Sequence, residues 1–302
     1  MKKMMSLLIA GALLCTSLLA GCNSEVQPSS STTESSSTVS EQSSSADGGS
    51  SEAAALSGKI TLNGSTSMTK VCDALGEAFM AKYDGVTYEK ANTGSGAAVT
   101  AVNDGTALIG DLSRDLKDEE NPDSFSKVTI ALDGIAIVVH ADSKVTALTK
   151  QQIADIFTGK ITDWSEVGGD KGKITVIGRE AASGTRDGFE SIIGVADECK
   201  YLAELPETGD VVAKVGSDAS AIGYVSLASV SDGIKAVDVE GVKATEENVA
   251  NGTYVVQRPF VEIFKKDSDN ELIAAWFEFL KSDEGQQIIK DQKLVPVAIE
   301  IK

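Results

Sequence analysis

Short apolar runs alternate along the chain with stretches whose apolar residues recur every three or four positions. Lys59–Leu62 reads as a strand, Asn63–Ser67 as a small polar turn. Met68, Val71, Cys72, Leu75, Ala78 and Phe79 then follow at helical spacing. The form repeats: Val86–Ala91 is a strand, Thr93–Gly96 a Gly/Ser turn, and a short helix follows. It repeats again with a strand at Lys173–Ile177, a polar turn from Gly178, and a helix carrying Phe189, Ile192 and Ile193. A fourth segment, ALIGDLSRDLKDEE, sets Asp111, Ser113 and Arg114 just after a short apolar run. Asp133–His140 is nearly all apolar, as a strand buried on both faces should be. Near the C-terminus, Leu272, Ile273, Trp276, Phe277 and Leu280 fit a helix packed on a core, Trp276 included. Strands alternating with helices predict an α/β fold.

The N-terminus follows other rules. Lys2 and Lys3 precede an apolar stretch, Leu7–Ala20, that is too short to span a bilayer. Such a beginning reads as a secretory signal peptide, residues 1–21. Leu19-Ala20-Gly21-Cys22 resembles the lipobox of bacterial lipoproteins, which implies that Cys22 carries a lipid on the outer face of the cell membrane. Residues 22–57 are rich in Ser, Thr, Glu and Gly and hold too little apolar surface to fold. A tether of that length reaches roughly 30–35 Å. The folded part is therefore expected over 58–302, enough for one large domain or two lobes.

The formal net charge is −18. Such acidity argues against nucleic acid and against electrostatic attachment to membranes. Of the four cysteines, Cys15 leaves with the leader and Cys22 is accounted for. Cys72 and Cys199 either pair or remain small buried residues. His140 is the single histidine, which leaves little for a His-rich metal site.

The turns carry the candidate chemistry. Ser and Thr there serve as helix N-caps. They also set hydroxyls and unpaired N–H groups at the positive ends of helices, where anions bind. Arg179 and Arg114 follow strand ends and offer forks of donors suited to oxyanions. Arg114 fits a surface ion pair equally well. An enzyme is poorly supported: there is no GxSxG elbow and no Walker A motif. Glu180 and Asp187 near Ser183 suit ion pairs better than acid–base work.

Taken together, GSTSM, TGSG, the Ser113-Arg114 step, REAASGTR and SDASAIGYVSL resemble the phosphate-binding lipoproteins of bacterial Pst-type ABC importers. The wider group is the class II periplasmic-type substrate-binding proteins, and the likeness covers nearly all of 58–302. The resemblance implies two α/β lobes, joined by two crossing strands, with the ligand in the cleft. Lobe one would be 58–137 plus 257–302, and lobe two 138–256. Val256–Lys266 would be the return strand. LTKQQIADIFTGKITDWSEVGG resembles a segment of the second lobe, in which Trp164 is structural.

The resemblance also implies a phosphate site. Ser65, Thr66 and Ser95 would bind from one lobe. Arg179, Ser183, Gly184 and Thr185 would bind from the other, with Asp111, Ser113 and Arg114 at the third turn. Ala181 stands where some members carry an acid that holds the arginine. Some members place a ligand-contacting aspartate in the third turn, so either Asp111 or Ser113 faces the ligand. A buried carboxylate there would accept the proton that phosphate keeps and sulfate lacks; Asp111 is the first candidate and Glu180 the second. No cofactor or metal is implied. The implied partners are two permease subunits and a cytoplasmic ATPase dimer, and the protein itself would be a monomer.

Overall fold

The computed structural model describes residues 56–302. The leader, Cys22 and nearly all of the tether lie outside the described residues. Among the described residues no helix is long and apolar enough to cross a membrane.

The elements in order are β1 (Ser57–Gly64), α1 (Thr69–Lys82), β2 (Gly85–Asn92), α2 (Ser95–Asn103), β3 (Ile109–Leu112) and β4 (Phe125–His140). Next come β5 (Ala147–Leu148), α3 (Lys150–Phe157), β6 (Thr175–Arg179), α4 (Gly184–Ile193), β7 (Ala203–Leu205) and α5 (Thr208–Ser217). The last are β8 (Ala221–Ser226), β9 (Ile234–Ala236), β10 (Asp238–Val239), α6 (Glu246–Ala250), β11 (Gln257–Lys265), α7 (Glu271–Lys281), α8 (Asp283–Asp291) and β12 (Val295–Pro296).

A mixed sheet runs β2-β1-β3-β11-β4-β8-β6-β7. The β1–β2, β1–β3, β6–β7 and β6–β8 pairs are parallel, while β3–β11, β4–β11 and β4–β8 are antiparallel. Parallel neighbours need crossover helices, which α1, α2 and α4 supply. Each begins where the chain leaves the carboxyl end of a strand, and this gathers their N-termini at one edge.

Two large apolar cores flank the crossing strands β4 and β11, with a smaller third cluster formed by α2 and Leu112 against Phe125, Val261 and Ile263. One packs α1, α7 and α8 on β1 and the first half of β4, with Phe79, Trp276 and Phe277 fully buried. The other holds Phe157, Phe189 and Tyr224 against the second half of β4, where Ile135–Val139 are all buried. The change of core falls between Ala131 and Ile135 on β4, and between Val256, just before β11, and Phe260 within it. The fold is thus the two-lobed α/β form expected from the sequence. Where the strands cross, Arg258 pairs with Asp133 in register. Its Nη2 and Nε donate to Asp133 Oδ2 at 2.9 and 3.2 Å, and Ser226 Oγ donates to Oδ1 at 2.7 Å. A shift of register between Phe260 and Val261 bends β11 just beyond this pair.

Cys72 is buried and Cys199 half-buried, and both are free thiols, which settles the open question about pairing. Trp164 and Trp276 are core residues. Their indoles donate to Ser220 O at 3.0 Å and to Glu262 Oε2 at 2.7 Å.

Candidate functional site

Strand ends and helix starts converge between the lobes. β1 ends at Gly64, whose φ is +149°, and a Cβ there would sit 2.1 Å from the Asp111 carbonyl oxygen. Only glycine fits, and this lets Ser65 N–H donate to that carbonyl at 2.9 Å. The Ser65 hydroxyl then accepts from Ser67 N–H at 3.3 Å and donates to Ser113 Oγ at 2.8 Å. Ser113 N–H donates to Ser95 Oγ at 3.1 Å, and the two hydroxyls lie 3.4 Å apart. Ser65, Ser95 and Ser113, three turns of one lobe, thus form one buried hydroxyl group.

The other lobe meets it through α4 and α5. Ser183 caps α4, its Oγ accepting from Arg186 N–H at 3.3 Å. The N–H groups of Gly184 and Thr185, in the first turn, have no helical acceptor. Gly184 comes so close that a Cβ on it would lie 2.3 Å from Ser95 Oγ and 2.8 Å from Ser113 Oγ. Thr185 Oγ1 is 2.6 Å from Ser67 Oγ. Thr208, the first residue of α5, lies 3.0 Å from Thr66 Oγ1 and 3.1 Å from Ser67 Oγ, hydroxyl to hydroxyl.

Arg179, at the end of β6, completes the cluster and is only 1% exposed. Its Nη1 donates to Thr208 Oγ1 at 3.1 Å, Nε to Leu205 O at 3.0 Å and Nη2 to Pro206 O at 2.7 Å. Every acceptor it has among the described residues is neutral. Burial draws its pKa down, and Arg258 adds to that effect. The backbone of Arg179 is fixed on both sides: its N–H donates to Tyr224 Oη at 3.2 Å, and its carbonyl accepts from Arg186 Nη1 at 3.0 Å. Tyr224 is itself stacked on Phe189 with centroids 4.1 Å apart. A rigidly held, unneutralised guanidinium, ringed by hydroxyls and helix N-termini, is an anion site in chemical terms.

Two expected members are placed elsewhere. Asp111 lies inside β3, not in the turn after it, and strand alternation points it at α1 and α7. Its carboxylate is bonded by Lys90, with both side chains buried, and sits with Cys72 and Glu262. Asp111 is therefore not the acceptor expected at the ligand. Arg114 is held by Glu120 through two bonds of 2.8 and 2.7 Å and by Asp187 at 2.7 Å. Its ion-pair reading prevails over the ligand reading, because these carboxylates take up most of its donors. Ser65, Thr66, Ser95, Ser113, Arg179, Ser183, Gly184 and Thr185 are brought together; Ser67 and Thr208 join them unforeseen. Ser67 stands inside GSTSM, and Thr208 opens an apolar helical repeat at Val211, Val212 and Val215, so both had a signal in the helix-start pattern.

The donor set of Cys72, Asp111 and Glu262, with atoms within 4.8 Å of one another, is the candidate metal group among the described residues. The Lys90 ammonium already stands beside Asp111 as the cation, so these residues do not suit a metal ion.

The family model of the PBP superfamily domain matches residues 34–284. The chain belongs to the PBP superfamily. Among its superfamily relatives, the phosphate-binding protein PstS of Bacillus subtilis is 31% identical over 247 residues, covering 80% of this chain and 81% of that protein. A substrate-binding protein of an ABC transporter from Clostridium perfringens, solved with bound phosphate, is 40% identical. The TM-score is 0.77, with 80% of this chain and 100% of that one covered. An ABC-type phosphate transport receptor from Vibrio cholerae is 33% identical with a TM-score of 0.67, over 79% and 100% of the two chains.

Proposed function

We propose that the protein is the phosphate receptor of a Pst-type ABC importer, holding inorganic phosphate between its lobes outside the cytoplasm. The observation that carries the reading is Arg179, a buried guanidinium with no carboxylate partner among the described residues, set among the hydroxyls of both lobes. Ser65, Ser67, Thr66, Ser95 and Ser113 bind from one lobe; Ser183, Gly184, Thr185, Thr208 and Arg179 bind from the other. Ten net hydrogen bonds at about 1 kcal/mol each, less ordering costs, are enough for the roughly −8 kcal/mol of a micromolar ligand. The relatives named above support the ligand and the transport role.

Binding ends in hand-over, not in turnover, since phosphate enters and leaves unchanged. Cys22 anchors the chain by lipid, and the tether lets the loaded lobes reach two permease subunits served by an ATPase dimer. The receptor acts as a monomer, and closure of the lobes reports occupancy.

The test is calorimetric titration of residues 56–302, freed of bound anion, with inorganic phosphate. One-to-one binding that is weakened at least 100-fold by Arg179→Met is expected. Absence of phosphate binding to the unaltered protein refutes the reading.

A further inference from the structure

Ion pairs among the described residues lie within one lobe or, for Arg258 with Asp133, where the strands cross, with two exceptions. Both exceptions end on Asp187. Asp187 stands in the first turn of α4, two residues after Thr185, and Phe189 and Ile193 pack that helix into the core around the second half of β4. Its Oδ2 accepts from Arg114 Nε at 2.7 Å and lies 3.1 Å from Lys117 Nζ. Arg114 and Lys117 belong to the other lobe, in the segment that follows β3.

Lobe one holds its side of this contact by itself. Arg114 Nη1 and Nη2 donate to Glu120 at 2.8 and 2.7 Å, and Nη1 also donates to Asp115 O at 2.8 Å. Lys117 N–H donates to Glu120 Oε2 at 2.8 Å. The guanidinium and its loop are thus tied together, and Nε is the donor left for α4. Asp115 spends its carboxylate on Lys127 at 2.8 Å. On α4, Arg186 is engaged by Glu190 and Glu204 at 2.8 and 2.9 Å, so it does not neutralise its neighbour Asp187. Lobe one therefore brings two cations and one carboxylate, lobe two brings one carboxylate, and their meeting leaves no net charge. The side chains of Arg114 and Asp187 are 8% and 24% exposed. Such a partly desolvated pair is worth more than one on an open surface.

Two simpler roles for Asp187 have different consequences. An acid in the first turn of a helix favours that helix whatever lies across the cleft. A carboxylate near an anion site repels the anion, and its loss should then tighten binding. Neither role calls for an arginine that its own lobe ties down with one donor reaching across at 2.7 Å.

We infer that Asp187 is a positioning residue for anion binding, which clamps α4 to Arg114 and Lys117 and sets affinity through closure of the lobes. The inference rests on the proposed phosphate reading and deepens it. Apparent affinity falls with the fraction of protein in the binding-competent form. Loss of one partly buried, charge-assisted pair shifts that fraction about tenfold. The clamp forms only on closure, so its loss speeds release more than it slows capture.

The test uses residues 56–302, which hold both cores, with inorganic phosphate as the ligand. Calorimetry gives the affinity, and a chase of radiolabelled phosphate with unlabelled phosphate gives the release rate. Asp187→Asn is expected to bind about tenfold more weakly, with release faster by a similar factor. Lys117→Gln removes only the more exposed arm and should weaken binding about threefold in the same direction. Arg114→Met combined with Asp187→Asn should cost clearly less than the sum of the single losses, since both break one pair. Asp187→Asn that binds phosphate as tightly as the unaltered protein, or tighter, overturns the inference and leaves the phosphate reading standing. Weaker binding with an unchanged release rate, or losses that simply add, also overturns it. Phosphate that fails to bind the unaltered protein overturns the phosphate reading, and the inference with it.

Discussion

Glu262 and Asp111 face each other as register partners on β11 and β3, both fully buried. Glu262 Oε2 accepts from the Trp276 indole at 2.7 Å, and Lys90 bonds Asp111. That leaves Glu262 Oε1 and Asp111 Oδ1 without partners. One proton shared by the two carboxyl groups, which offer oxygens within 4.8 Å of each other, would serve both and leave one negative charge opposite one ammonium. Burial raises the pKa of Glu262 well above its ordinary value, and the Asp111 charge raises it further. Burial also raises Asp111, while the adjacent Lys90 opposes that shift, which favours Glu262 as the protonated partner. Replacing it by Gln keeps the shape, keeps an acceptor for Trp276 and offers an N–H to Asp111. In the unfolded chain a glutamate with a pKa of about 4.3 is ionised at pH 7, so taking up that proton on folding costs about 3.7 kcal/mol. Glu262→Gln removes this cost, and a gain of about 2–4 kcal/mol at pH 7 is expected. A raised carboxyl pKa means that the folded state binds more protons than the unfolded state above about pH 4.3. Wild-type stability therefore falls with rising pH there, by about 1.4 kcal/mol per unit, until the folded pKa is reached. The gap between variant and wild type should close near about pH 4.3. Urea denaturation of residues 56–302 at about pH 5 and pH 7.5 reads both quantities. A variant that is less stable at the higher pH, or a gap that does not change with pH, refutes the shared proton.

Other variants separate site from scaffold. Arg179→Met should lower phosphate affinity by about 3 kcal/mol or more, since two charge-assisted hydrogen bonds at about 1.5–3 kcal/mol each are lost; titration calorimetry measures it. Asp111→Asn should leave phosphate affinity unchanged but cost about 3–5 kcal/mol of stability, because Lys90 is left buried without its counter-charge; denaturation and titration of the same sample separate the two. Gly184→Ala should weaken phosphate binding at least tenfold with little change in melting temperature, because the added Cβ meets Ser95 and Ser113 across the cleft, where parting of the lobes would relieve it.

The strand-to-helix junctions were legible because each carries a change of period and a hydroxyl cap. Lys59–Leu62, Val86–Ala91 and Lys173–Ile177 sit within or beside β1, β2 and β6, and Ser183 does cap α4. Asp133–His140 lies within β4, but that strand starts earlier, at Phe125. Its first half alternates buried and half-buried residues and lacks the continuous apolar run that marked the second half. Asp111 was misread for a physical reason. A buried aspartate is recognisable only with its partner, and Lys90 stands on β2, in a segment whose charges look solvent-facing. Arg114 was legible as ambiguous, and its acidic partners decided it. Thr208 had only the helix-start pattern ahead of Val211, Val212 and Val215 as a signal, and its role appears only when the lobes bring it to Thr66.

The absent partner of Arg179 links folding to binding. Elsewhere this fold neutralises its buried cations: Lys90 with Asp111, Arg258 with Asp133, Arg114 with Glu120 and Asp187. A carboxylate at Arg179 would stabilise the closed protein but would occupy the position that an anion must take, and the two would compete. Leaving the guanidinium with neutral acceptors makes the unliganded closed form bear the desolvation of a charge, which an entering oxyanion then relieves. This also explains how a chain of formal charge −18 can hold an anion. The acidic surface is largely screened beyond about 8 Å at physiological ionic strength, while the desolvated donors act at hydrogen-bond distance. It follows that Arg179→Met should be at least as stable as the wild type without ligand, though it binds worse. A variant that lost stability as well as affinity would show that Arg179 is chiefly a strut between Leu205, Pro206 and Thr208, and that the anion is held by the helix N-termini alone.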